Sequence, residues 1–203
     1  MTSRHLIVGA ALGAGLLAST LTIAQSAPTR VRGVITSLSG GTLTVASREG
    51  PTLSIMLAEN ARVVAVARAT LADIRPGTFV GVAAMPRPDG TQLAIEVLIF
   101  PEAMRGAGEG HRPWDLLPES TMTNATVAET VTKTDGPTLT LTYKDGQKII
   151  TVPPEAPIVT FIPADRGDLK PGARIFSTVT KTEAGALTAA SVTVGKDGVD
   201  PPM

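Results

Sequence analysis

The chain repeats itself once. Gly41-Thr-Leu-Thr-Val-Ala-Ser-Arg-Glu-Gly50 returns as Pro137-Thr-Leu-Thr-Leu-Thr-Tyr-Lys-Asp-Gly146, and Asp73-Ile-Arg-Pro-Gly77 returns as Asp168-Leu-Lys-Pro-Gly172. The first match is displaced by 96 positions and the second by 95, so the copies keep register with one deletion between them. So long a period implies two small domains, not a solenoid of short units. The copies run over 30–100 and 124–195, joined by a linker over 101–123 and followed by a tail over 196–203.

Both copies read as β structure. Leu43 and Val45 alternate with Thr42, Thr44 and Ala46, the period-two pattern of a half-buried strand. Arg48-Glu49-Gly50 turns that strand into Leu53, Ile55 and Leu57, and Val63–Val66 reads as a further short strand. Asp73-Ile-Arg-Pro-Gly77 stops one helical turn and leads into a second hairpin, Phe79–Met85 with Leu93–Phe100, around Arg87-Pro88-Asp89-Gly90. The second copy gives the same order. The expected fold is therefore all-β: two tandem, small, six-stranded (OB-like) barrels related by internal duplication. An open sandwich is the alternative. The apolar residue of each Asp-x-x-Pro-Gly turn, Ile74 or Leu169, is expected to plug a barrel end.

Residues 1–26 read as a signal peptide. Arg4 and His5 precede an uncharged run of 13 residues, Leu6–Ala18, and then small polar residues suited to cleavage. A membrane span needs about 20 apolar residues, so no stable span is expected after cleavage. The reading places the protein in the periplasm or outside the cell. The chain has no Cys, so each domain must be held by its core. Without Arg4 there remain 17 Lys+Arg against 18 Asp+Glu, and no basic face points to nucleic acid.

The linker holds the chemistry worth weighing. It carries Trp114, the single Trp, and His111, the one His beyond the signal. Trp114, Leu116 and Leu117 form a bulky apolar cluster between Pro113 and Pro118. They are expected to dock on one or both barrels, and together with His111 they are the partner-binding or interdomain candidates. His111 with Glu109 and Asp115 is a weak candidate for a divalent ion, lacking the second His or Cys of a familiar zinc site. Ser120, His111 and Asp115 lie close in sequence without the context of an activated nucleophile. Gly106-x-Gly108-x-Gly110 lacks the Lys-Ser/Thr of a phosphate loop. Asn124-Ala-Thr126 matches a glycosylation sequon by a pattern common by chance. With one Trp, one Tyr and four Phe, an aromatic stacking platform is poorly supplied.

Arg32-Gly-Val-Ile-Thr36, Gly41–Val45, Gly50 and Asp73–Gly81 resemble an uncharacterised family of exported bacterial small β-barrel domains. The 105–127 segment resembles the linker of tandem proteobacterial members of that group. Some of these carry a metal ABC transporter permease label, which implies at most a neighbouring transport system. The resemblance implies no activity, catalytic residue or cofactor. The expected function is a non-catalytic, exported binding or scaffolding protein of the bacterial envelope, its partner an envelope protein or surface component. Two alternatives remain open: a periplasmic accessory of a metal-transport system binding a divalent ion near His111, and an uncharacterised hydrolase.

Overall fold

The computed structural model describes residues 28–133 and 136–201, leaving the expected signal peptide outside the described residues. The chain is all-β, and the helical turns among the described residues are three short 3₁₀ turns at Leu71–Asp73, Glu102–Met104 and Arg166–Asp168. Twelve strands form among the described residues: β1 Thr29–Ser39, β2 Thr42–Ser47, β3 Thr52–Arg68, β4 Phe79–Pro86, β5 Gln92–Ile99, β6 Gly110–Pro113, β7 Thr121–Lys133, β8 Gly136–Tyr143, β9 Gly146–Thr151, β10 Ile158–Pro163, β11 Arg174–Lys181 and β12 Leu187–Gly195. No helix among the described residues is long and apolar enough to cross a membrane.

The hairpins fall where alternation and turn residues place them. One boundary differs. The short strand expected at Val63–Val66 is the second half of the 17-residue β3, because no Pro or Gly interrupts Thr52–Arg68. In the second copy Pro153, Pro154 and Pro157 break the same stretch into β9 and β10, since proline has no N–H to give a ladder.

The pairing differs from six consecutive strands closing on themselves. A closed barrel of five strands forms from β1, β2 and β3 together with β11 and β12, which come from the far end of the chain. β1 lies antiparallel between β2 and β11, and β12 closes the ring by running parallel to β3. β4 and β5, expected to complete that barrel, instead join β7 and β9, which flank β8. A short parallel contact of Gln92 with Ile150 and Leu93 with Thr151 joins β5 to β9. The parallel pairs Leu187↔Ile55 and Gln92↔Ile150 coincide after a shift of 95. Where β3 meets β10, Val66 faces Phe161, Val64 faces Pro163 and Arg68 faces Val159. Exchanging these two strands by the same shift returns the same ladder, as an approximate two-fold axis between Val66 and Phe161 requires.

The core follows this pairing. One cluster unites Val31, Leu43 and Ile55 with Leu169, Ile175, Val179, Val192 and Val194. A second unites Ile74, Val80 and Val97 with Val127, Leu139 and Ile150. Val66, Leu98, Val159 and Val199 pack between them, where the Lys196 amide ties the tail to the Val66 carbonyl at 3.1 Å. Ile74 and Leu169 are buried as expected, each in a cluster that mixes strands of both copies. Leu169 sits with β1–β3, where the Gly172 amide donates to the Ile35 carbonyl at 2.8 Å. Ile74 sits with β7–β9, where the Gly77 amide donates to the Val127 carbonyl at 2.8 Å. Both turns are built alike. Asp73 accepts from the Thr70 amide and Asp168 from the Asp165 amide, and these bonds are the main reason both carboxyls lie below their ordinary range.

Side chains at two equivalent pairs explain why the hairpins go where they do. On β1–β11, buried Arg32 faces Phe176, with the guanidinium 5.4 Å from the ring centroid. On β7–β4 the corresponding pair is Asn124 and Gly81, so close that a Cβ at 81 would fall 2.8 Å from Asn124 Oδ1. Setting the β11–β12 hairpin against β7 would bring Phe176 to a place where even a Cβ crowds the Asn124 and Phe100 side chains.

Candidate functional site

The linker is a docked element. Residues 110–113 form β6 on the start of β7, which begins at Thr121 inside the expected linker. Beyond β6 the chain makes a loop, Trp114–Ser120, that closes on itself through Ser120. The Ser120 hydroxyl donates to the Leu117 carbonyl at 2.7 Å, and the Trp114 amide donates to the Ser120 carbonyl at 2.7 Å. Glu119 adopts φ 64°, a left-handed conformation held in place by that closure.

The loop is fastened to the five-stranded barrel by charge and stacking. The Arg30 guanidinium lies 3.8 Å over the Trp114 ring, and Arg112 lies 5.4 Å from the same ring. Trp114 is half-buried, its ring flanked by two cations, and attraction of this kind grows as water is excluded. Asp115 binds Arg32 at 2.8 Å and Arg30 at 3.3 Å. Arg32 is almost wholly covered and also reaches Glu49 at 3.5 Å. Burial works against ionising Asp115, but Arg32, with Arg30 beside it, outweighs burial and holds the carboxyl below its ordinary range. A carboxyl lowered in the folded state stabilises it above the unfolded carboxyl's pKa, about 3.9, and that contribution is lost as pH falls through the lowered value. Trp114 emission is therefore expected to shift to the red below about pH 4 as the loop lets go. Asp115→Asn should give the same red shift at neutral pH. An unshifted spectrum for Asp115→Asn would show that the ion pairs do not hold the loop.

The docked loop overhangs a groove of about 610 Å³, walled by Arg48, Glu49, Ile95, Glu96, Asp115, Leu116, Leu117 and Pro157. The walls come from the β2–β3 turn, from β5, from the loop and from the segment before β10. Leu116 is half-buried, whereas Leu117 is 47% exposed at the groove. The linker cluster is thus divided. Trp114 fastens the loop, and Leu117 faces outward with its backbone pinned on both sides. Ile95, Glu96, Pro157, Arg48 and Glu49 come from segments far apart in the chain, and no local pattern marked them.

The other candidate residues have structural partners. His111 Nδ1 lies 2.8 Å from Thr123 Oγ1. Partial burial lowers the imidazole's pKa, and the positive charges of Lys148 and Arg112 act in the same direction. Glu109 accepts from the Lys144 amide at 3.0 Å. With Asp115 held by arginines, the three candidate metal ligands are engaged separately. Among the described residues no group of three His, Cys, Asp or Glu is placed to hold a metal ion. The Ser120 hydroxyl donates to loop carbonyls and His111 faces Thr123, so the structure gives them no shared hydrogen bond.

In the 106–110 loop the carbonyls of Ala107 and Gly108 accept from Asn124 and Arg112. A phosphate cradle presents amide N–H groups to its ligand, and these two carbonyl contacts are of the opposite polarity. The sequon residue Asn124 is buried and committed to Ala107, which leaves no access for a glycan. Compared with protein families, with curated proteins and with solved structures, the chain gives no significant match.

Proposed function

We propose that this chain is an exported, non-catalytic binding or scaffolding protein of the bacterial envelope, which holds an extended segment of a partner protein beneath its linker loop. The observation that carries this reading is Leu117. A large apolar side chain, 47% exposed, stands on a loop pinned by Ser120 and by Arg30, Arg32 and Asp115. Presenting such a side chain rigidly lowers the entropy lost on association. The groove is also one of a series. Arg48 walls both it and a cavity of about 290 Å³ that includes Arg32 and Arg174, and Pro157 walls both it and a cavity of about 400 Å³ along Pro153–Ile158. A chain of shallow sites with shared walls suits an extended polymer better than a compact substrate.

The reading includes an evolutionary component: the two copies are an internal duplication whose closing hairpins have been exchanged. The matched registers at a shift of 95 support this. Export behind residues 1–26 is its cellular component.

A photo-crosslinking residue at position 117 tests the binding reading. Irradiation in cells is expected to give a discrete adduct in the envelope fraction from position 117 and none from Ile149, which is exposed at 39% on β9. Equal labelling from both positions, or none from either, would remove the groove as a binding site.

A further inference from the structure

The two halves of the molecule treat one position differently. In the turn Arg166–Asp168, Arg166 Nη2 donates to the carbonyls of Ala58 and Glu59, each at 2.7 Å. In the turn Leu71–Asp73 the matching residue is Leu71, and the matching carbonyls belong to Pro153 and Pro154. The equivalence rests on bonds as well as numbering. The Leu57 amide donates to the Gly41 carbonyl at 2.9 Å and the Val152 amide to the Pro137 carbonyl at 2.8 Å, so the backbone enters both bends in the same way. Leu71 has no polar atom to offer. Beside it lies a cavity of about 400 Å³, walled by Arg68, Leu71, Val152 and the Pro153–Ile158 segment.

We infer that this cavity takes the arginine side chain of a partner polypeptide, whose guanidinium stands where Arg166 stands in the other half. Pro153, Pro154 and Pro157 remove three amide donors from the wall, leaving carbonyl acceptors and apolar rings. The Ala156 amide donates to the Pro153 carbonyl at 3.0 Å, and that oxygen keeps a second lone pair. A guanidinium is planar and weakly hydrated, donates sideways to carbonyls and lies flat on apolar rings. An ammonium is a compact, strongly hydrated charge that does neither well. Glu155 and Arg68 bring opposite charges to the wall, so net charge gives little selection and the carbonyls and rings decide it. The inference deepens the binding reading by naming a side chain the partner brings, and it rests on that reading only in making the partner a protein.

The test is a titration of the full chain with arginine amide, followed by the backbone amide resonances of the protein. The amides of Ala69, Leu71, Glu155 and Ala156 are expected to shift saturably. Lysine amide should bind roughly tenfold more weakly, and alanine amide should leave these resonances unmoved. Leu71→Arg supplies its own guanidinium and should abolish the shifts. Arg166→Leu should add a second set around Ala58 and Glu59. Absence of saturable shifts in the unaltered protein, or shifts that survive Leu71→Arg, would overturn the inference. Because the probe is a free amide, its failure leaves crosslinking at position 117 untouched, and a missing crosslink leaves this titration just as decisive.

Discussion

A fragment of residues 28–100 is expected to show no cooperative unfolding transition. It contains β1 to β5, all that a barrel built from one copy would use. The core around Val31, Leu43 and Ile55, however, is completed by Leu169, Ile175, Val179, Ala189, Val192 and Val194, all beyond its end. Its own β4–β5 hairpin presents Gly81 where Arg32 meets Phe176, leaving the buried guanidinium without its aromatic wall. The fragment also lacks Asp115, whose carboxylate lies 2.8 Å from Arg32. Removing an ionic partner of a covered guanidinium is destabilising, and a small domain has little stability to spare. Circular dichroism against temperature and denaturant is the measurement. A sharp transition in the fragment would mean that β4 and β5 can close on β1–β3 after all.

The second large effect concerns the plug. Leu169→Ala is expected to destabilise the protein by about 2–5 kcal/mol, the usual range for emptying a buried leucine site. Leu169 is 3% exposed in the cluster shared by β1–β3, β11 and β12. The location of the loss is the sharper part of the prediction. Hydrogen exchange should accelerate first at Val31, Leu43 and Ile55, more than a hundred positions away in sequence, while Leu139 and Ile150 stay protected. Acceleration centred on β7–β9 would place Leu169 in the other core cluster.

Secondary structure was legible because period-two alternation and Gly- or Pro-bearing turns are local signals. Both Asp-x-x-Pro-Gly turns and their buried Ile74 and Leu169 could be read for the same reason. The choice of partner strand could not. The two copies offer hairpins of the same length and pattern, and the alternation is satisfied whichever hairpin closes which ring. The difference lies in single residues that look unremarkable in sequence. Arg32 on a strand reads as a solvated charge until Phe176 covers it, and Gly81 reads as a weak strand residue until Asn124 fills the space beside it. The expected division of β3 has no proline or glycine behind it, whereas Pro153, Pro154 and Pro157 enforce one in the second copy.

The linker was legible in part. A Trp between prolines called for a docking surface, and the loop is docked. Its counterparts, Arg30 and Arg32, sit more than eighty positions upstream and carry no mark of the role. Leu117 was grouped with Trp114 by proximity, yet the turn closed by Ser120 sends the two to opposite duties. The arginine-sized cavity was out of reach, because it depends on comparing Arg166 with Leu71 in folded space.

The closure of β1–β3 by β11 and β12 also sets a timetable. Synthesis delivers the N-terminus first, and β1, β2 and β3 then wait with an open ring until β11 and β12 arrive at residues 174–195. For most of its emergence the chain has no finished barrel, only partial sheets whose native neighbours are still to come. Loop-closure entropy of that span must be met before the core around Val31, Leu43 and Ile55 can form. A protein wired this way keeps its first strands open until its last ones latch them shut.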